Sequence, residues 1–233
     1  MRLYYFTSQS HGLASIRDQR LKISRFKELN DPFDFIGIAT KSPAERQAVK
    51  KIRDRVGSKG GVICMSKNWS EPLLWGHYAD KHKGICLSFQ VDEKLWDEVK
   101  YVDERPSLEH YGVSDIDSLT SAHLKEISLT KFTKWSYEKE WRRFVTLGQS
   151  DFVDTNHFLS FGPRMELEGV MFGERSTVTK EQIKGIAHSF PKIKMGFARA
   201  AFSDFKVVPS RLLTSRMIPK KNRIRVEKGS DDG

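Results

Sequence analysis

With two cysteines in 233 residues, the chain has too few to build the disulfide framework of a small secreted domain. Cys64 in "GGVICMS" and Cys86 in "KGICLSF" each sit in a short apolar run, where a thiol behaves as a small buried hydrophobe. Unpaired core thiols suit a reducing compartment; a bond between the two is the alternative the sequence leaves open. No apolar run approaches the roughly 18 residues of a membrane span, and "MRLYYFTSQS" lacks the apolar centre of a signal peptide. These absences predict a cytoplasmic protein with no membrane contact. Internal repeats and Gly/Ser linkers are missing too, so one domain is expected. No Cys or second His pair has metal-site spacing. In "HYADKH" the residues His77, Asp80 and His82 do not share a helical face, so no metal is expected.

What the chain does have is charge and aromatic surface. Hydrophobic residues make up 38% and aromatics 11%, enough to bury a core. Charged residues make up 30%, and the net charge of +10 either favours a polyanionic partner such as nucleic acid, or an anionic substrate, or serves solubility alone. Residues 211–233 hold seven Lys or Arg against three acidic residues, a net +4 of that total. They read as a basic, flexible tail, either gripping phosphates or having no partner at all, behind a domain spanning residues 1–210.

The patterning mixes strands and helices without regular alternation. "RLYYFTS" reads as a strand, followed by a helix in "SHGLASIRDQRL" capped by Ser10. Asn30, Asp31 and Pro32 make a turn. After Pro43 a charged helix places Ala44, Ala48, Ile52 and Val56 on a narrow face. The strand "VICMS" follows, then a helix from Glu71 to Asp80, the strand "GICLSF", a short helix "DEKLWDEV" and a longer one from Ser114 through "SDIDSLTSAHLKEISLTKF". The later part is strand-rich in "WRRFVTL", "NHFLSF", "EGVMFG" and "AFSDFKVV", with a helix in "VTKEQIKGIAHSF". The fold class is α+β.

Three stretches carry chemistry. In "WSEPLLWGHYADKHKGICLSF", Trp75, Tyr78 and Ala79 share a helical face. They serve either core docking, with His77 and His82 as polar rim, or stacking on a planar ring beside a hydrogen-bonding His77. In "WSYEKEWRR", an extended backbone aims Glu138, Glu140 and Arg142 the same way; the carboxylates are either a catalytic pair or rungs of an ion-pair ladder with Lys139, Arg142 or Arg143. In "NDPFD", Asn30 and Asp34 either contact a substrate from a loop beside the first strand, or belong to a turn that accounts for Asn30 and Asp31 and leaves Asp34 unexplained.

"LYYFTS", "LNDPFDF", "LLWGHYADKHKGICLSF", "KWSYEKEWR" and "GVMFGE", in this order over residues 3–190, resemble the bacterial family catalogued as domain of unknown function 2971. More distantly, a first strand with Tyr-x-Thr-Ser, a helix and a short strand resemble the DarT-like and RNA 2′-phosphotransferase-like members of the ADP-ribosyltransferase superfamily. That resemblance implies a split mixed or antiparallel sheet flanked by helices, with NAD in its cleft. It implies cofactor-binding roles for Tyr5, Thr7, Ser8, Trp75, His77 and Tyr78, and a catalytic role for Glu138 or Glu140. The first-strand His or Arg of those enzymes is here Tyr5, unless Arg2 replaces it. A carboxylate there would stabilise the positive charge that develops at the sugar carbon as the nicotinamide–ribose bond breaks. The implied activity is transfer of ADP-ribose from NAD to a macromolecule, with nucleic acid the acceptor that the charge suggests. The rivals are a metal-dependent nuclease or phosphodiesterase using His77, His82, Asp34 and the two glutamates, and a non-catalytic nucleic-acid-binding module stacking bases on Trp75 and Tyr78.

Overall fold

The computed structural model describes residues 1–35 and 37–225. In chain order the elements are β1 (Arg2–Thr7), α1 (Gln9–Asp18), β2 (Arg20–Ile23), α2 (Pro43–Lys59), β3 (Gly60–Ser66), α3 (Pro72–Tyr78), β4 (Ile85–Val91), β5 (Asp97–Glu98), β6 (Lys100–Val102), α4 (Ser121–Ser128), β7 (Thr130–Phe132), β8 (Glu140–Thr146), β9 (Asp151–Val153), β10 (Asn156–Ser160), β11 (Met165–Phe172), α5 (Lys180–Ser189), β12 (Lys194–Ala200), β13 (Val207–Pro209) and α6 (Arg211–Met217). The fold is α+β, its sheet mixed but mostly antiparallel. The chain forms two compact units, each of non-contiguous segments: Met1–Leu21, Met65–Glu93 and Ser160–Gly233 in the first, Lys22–Cys64 and Lys94–Leu159 in the second.

In the first unit the strands lie in the order β13-β12-β11-β4-β1. β1 and β11 flank β4 antiparallel, while β11 and β12 run parallel. Strand alternation sorts the side chains onto two faces. Leu3, Tyr5 and Thr7 share a face with their partners Phe89, Leu87 and Ile85. α1 covers this face so closely that a Cβ on Gly12 would lie 3.1 Å from Ile85 and 3.2 Å from Thr7. Tyr4 and Phe6, with Cys86, face the other way onto Trp75 of α3, onto Ala79 just after it, and onto Ala198 and Val207. Between Leu167 and Gly169 the β11–β4 register slips, leaving Glu168 as an extra residue in a bulge.

In the second unit β3, β8 and β5 are neighbours, β9 and β10 pair antiparallel, and β6 and β7 run parallel. A small core of Ile38, Leu108, Tyr111, Ile116 and Ile127 sits among its loops and helices. α2 is capped by Ser42, whose side chain accepts from the Glu45 N–H. None of its residues is fully buried.

Several expected elements take another form. α1 is capped by Ser8, not Ser10. The long helix from Ser114 does not form, because Asp115 accepts from the Ser118 N–H at 2.9 Å and closes a single tight turn. Thr120 then caps the shorter α4; such side chains compete with the backbone for its own donors. In "DEKLWDEV" strand pairing wins instead: Asp97 and Glu98 pair with Arg142 and Trp141. "AFSDFKVV" is strand only at β13. β12 went unread because Gly196 interrupts its pattern, and a Cβ there would lie 2.5 Å from Ile224. The expected tail also needs correction. Residues 211–225 are built into the first unit: Ser210 caps α6, Thr214 accepts from the Phe197 N–H at 3.0 Å, and Asn222 is fully buried, donating to the carbonyls of Pro191 and Ile193. Its apolar residues Leu213, Met217 and Ile218 were masked in the sequence by neighbouring basic residues. Residues 226–233 of the expected tail lie outside the described residues. Among the described residues, no helix is long and apolar enough to cross a membrane.

Candidate functional site

The stretch from Trp69 to Phe89 is first a structural device. Trp75 is fully buried and donates its indole N–H to the Trp69 carbonyl at 2.7 Å, edge-on to Phe6 with ring centroids 5.3 Å apart. A ring so enclosed has no face left for a ligand, which corrects the stacking role expected of Trp75. α3 ends in a turn whose Asp80, Lys81 and His82 all have positive φ (44°, 54° and 67°). For residues with a Cβ this conformation costs on the order of 1 kcal/mol each. Backbone bonds hold the turn: His82 N–H to Trp75 O at 3.1 Å, Gly84 N–H to Ala79 O at 2.7 Å and Arg175 N–H to His82 O at 3.0 Å. Gly84 is required because a Cβ would press on the Thr7 carbonyl and lie 2.8 Å from the Ala79 carbonyl. Burial lowers the pKa of His82. His77 is exposed and Tyr78 half-buried on the same helix.

The other residues expected around NAD divide between the two faces. Tyr5 and Thr7 point toward the α1 side, opposite α3, and Thr7 is buried. Ser8 is used as the α1 cap, accepting from the His11 N–H at 3.3 Å. Glu138 and Glu140 belong to the second unit.

On the α3 side of the first unit's sheet lies a groove of about 950 Å³. Arg2 and Tyr4 from β1, Ser88 from β4, and Glu166, Glu168 and Gly169 from β11 form its floor. Trp69, Phe190, Lys192, Lys194 and Arg225 line it as well. Gly169 follows the bulge because a Cβ there would lie 2.7 Å from the Ser88 hydroxyl and 3.0 Å from the Lys194 carbonyl. Bulges are common where a strand must re-aim side chains beside a site. Glu168 accepts from Arg2 Nε at 2.9 Å. Their side chains are 56% and 35% exposed, so the pair is open to exchange with a solute. The hydrogen bond that Arg2 donates to Glu168 raises the Arg2 pKa, and burial raises that of Tyr4 against the pull of Arg2. Four cations thus stand against two carboxylates, between aromatic rings. The sequence contains this second Glu-x-Glu, in "MELEG", and pattern alone gave no reason to prefer it to the first.

The first Glu-x-Glu sits in a buried ionic cluster in the second unit. Lys139 has φ 43°, so Glu138 ends a 3-10 turn while Glu140 opens β8. The extended geometry expected for this stretch begins only at Glu140, yet both carboxylates meet Lys131 Nζ, at 2.6 and 3.2 Å. Arg142, fully buried, donates to Glu140 at 2.8 and 3.0 Å, to Asp34 at 2.7 Å and to the Ser128 carbonyl at 2.7 Å. Burial alone would raise the Glu140 pKa, but Arg142 and Lys131 outweigh it and hold that carboxyl below its usual range. For Asp34 burial wins over Arg142 and the pKa is raised. Burial pushes the Cys64 thiol well up. The ion-pair alternative therefore describes these glutamates, with Lys131 and Arg142 as the cations. Asp34 is explained as the anchor of the "NDPFD" loop. At 3% and 6% exposure, neither glutamate is presented to a substrate. Among the described residues, no three His, Cys, Asp or Glu side chains are grouped to hold a metal ion.

A family model described as a protein of unknown function (DUF2971) matches residues 74–143, from α3 to the ionic cluster. That span is narrower than residues 3–190 and covers less than half of the chain; over it the chain is similar to that family. No curated protein and no solved structure matches the chain.

Proposed function

We propose that the protein binds a dinucleotide of the NAD class in the groove of the first unit and breaks its nicotinamide–ribose bond, passing ADP-ribose to a macromolecular acceptor. The groove's composition carries this reading: cations from β1, β12 and the C-terminal segment beside aromatic rings and a Glu-x-Glu on one strand. Lys192, Lys194 and Arg225 supply charge for a pyrophosphate, and Trp69 and Tyr4 supply faces for planar rings. In this assignment Arg2 takes the first-strand position, and Glu168 and Glu166 replace Glu138 and Glu140 as the carboxylates. As the C–N bond breaks, nicotinamide leaves with the electron pair. Glu168 then stabilises the cationic sugar carbon, while Glu166 takes the proton from the acceptor that bonds to it.

The connection between β12 and β13 favours nucleic acid as acceptor. Phe202 and Phe205 are 78% and 101% exposed there, with the Arg199 guanidinium 4.2 Å over the Phe202 ring; exposed aromatics beside cations stack bases.

Nicotinamide release and NAD binding by calorimetry test the reading. Glu168→Gln should lower turnover about 100-fold or more, the scale of losing one electrostatic stabiliser, with NAD affinity little changed. Lys192→Gln with Arg225→Gln should weaken NAD binding. If the parent protein neither binds NAD nor releases nicotinamide with nucleic-acid and protein acceptors present, the reading fails.

A further inference from the structure

We infer that the second unit carries a binding site of its own, for an amphipathic carboxylate of the fatty-acid type: its apolar chain in a cavity beside α2, its carboxylate on Arg53. This is independent of the groove, since every residue involved lies in the second unit. The cavity measures about 610 Å³, within the roughly 300–1,000 Å³ typical of small-molecule sites. Its walls are largely apolar, with Phe26, Phe35, Ile38, Ile52, Leu124 and Phe144 prominent. α2 turns Val49, Ile52 and Val56 toward it, yet buries no residue completely. A helix of 17 residues ordinarily packs an apolar stripe against a core; here Val49 and Ile52 touch the Ile38–Ile127 core on one side and, with Val56, border the cavity on the other.

Two further observations give the occupant its chemistry. Arg53 lines the cavity, and its Nε is buried without a hydrogen-bond partner among the described residues. A buried, unmatched donor on a cation is costly, and a carboxylate oxygen is its strongest partner. Lys94, Lys125 and Asp97 also line the space, and Lys125 pairs with Asp97 at 2.7 Å, so the local excess is positive. The wall itself is strained. Phe35 has φ 59°, a conformation rare for a bulky residue. It is held by stacking on Phe26 at 3.7 Å between centroids, and by the Asp34–Arg142 bond next to it in the chain. Strain of this kind collects where a side chain must be presented to a ligand. A mostly apolar space with a single unmatched donor suits one charged head on a long apolar body, and is wrong for a pyrophosphate.

The test is calorimetry on the full chain with dodecanoate and dodecyltrimethylammonium below their micelle concentrations and dodecanol below its solubility limit. Dodecanoate should bind one per chain. The alcohol should bind on the order of tenfold more weakly, the scale of one charge-assisted hydrogen bond, and the cation not measurably. Arg53→Gln should bring the acid down to the alcohol's affinity. Val49→Trp, which fills the cavity, should abolish binding while NAD binding stays as in the parent. No binding of dodecanoate, equal affinity for acid and alcohol, or undiminished binding in a folded Val49→Trp protein would each overturn the inference. If the tryptophan variant does not fold, the head-group series on the parent decides alone.

Discussion

Arg142→Met tests the buried cluster most directly. The guanidinium is fully buried and makes four hydrogen bonds, three to the carboxylates of Glu140 and Asp34. Methionine fills similar space but leaves three buried carboxylates, Asp34, Glu138 and Glu140, without the guanidinium charge. Removing one partner of a buried pair costs about 3–5 kcal/mol. A second route gives a similar figure. The variant can escape by protonating Asp34, and at pH 7 moving a proton onto a carboxyl with an unfolded pKa near 3.9 costs about 4 kcal/mol, at about 1.4 kcal/mol per pH unit. The same escape costs only about 1.5 kcal/mol at pH 5. A carboxyl whose folded pKa is raised weakens folding as pH rises through the window between its unfolded and folded values. The deficit of the variant should therefore shrink on acidification. In the parent the Glu140 contribution runs the other way: present above the unfolded carboxyl value, it is lost as pH falls toward the lowered folded value. Urea unfolding followed by circular dichroism at pH 7 and pH 5 measures the first, and continuing the parent series down to about pH 3 measures the second. A total stability of about 5–15 kcal/mol makes the loss large. Arg142→Met combined with Asp34→Leu and Glu140→Leu should recover much of it, because an apolar replacement of the whole pair is close to neutral. A single variant within about 1 kcal/mol of the parent at pH 7, or a deficit equal at both pH values, would refute this reasoning.

Two other outcomes follow from packing. Gly84→Ala should lower stability by about 3 kcal/mol, since backbone atoms bar its Cβ. By contrast, Gly76→Ala in α3, with nothing within 4 Å of the new methyl, should gain about 0.5–1 kcal/mol; thermal melts that rank the two the other way would contradict the turn geometry. Burial pushes both the Cys64 and Cys86 thiols well up, so they stay protonated in the folded chain. Iodoacetamide labelling at pH 8 should then track unfolding in urea, and rapid labelling of Cys86 without denaturant would show that the core is open.

Local patterning was legible wherever short-range forces decide structure. β1, β4 and β8 follow from apolar and aromatic runs, α2 from the narrow apolar face after Pro43, and α5 from the run "VTKEQIKGIAHSF". The two cysteines are free, Cys86 buried and Cys64 partly so, as short apolar runs imply. The "NDPFD" turn was also readable, because Asp31 accepts from the Phe33 N–H two residues on. Other features depend on partners distant in sequence. The role of Asp34 rests on Arg142, 108 residues away, and Trp75 became core because Phe6 and Ala198 meet it from other strands. The two Glu-x-Glu pairs look alike as text. One is neutralised in the interior by Lys131 and Arg142, while the other opens onto a groove through a bulge that only the β11–β4 register creates. Spacing along a chain states which side chains share a strand or helix; whether that face meets a cation, a core or solvent is settled by which strands become neighbours, since desolvation and charge pairing act through space.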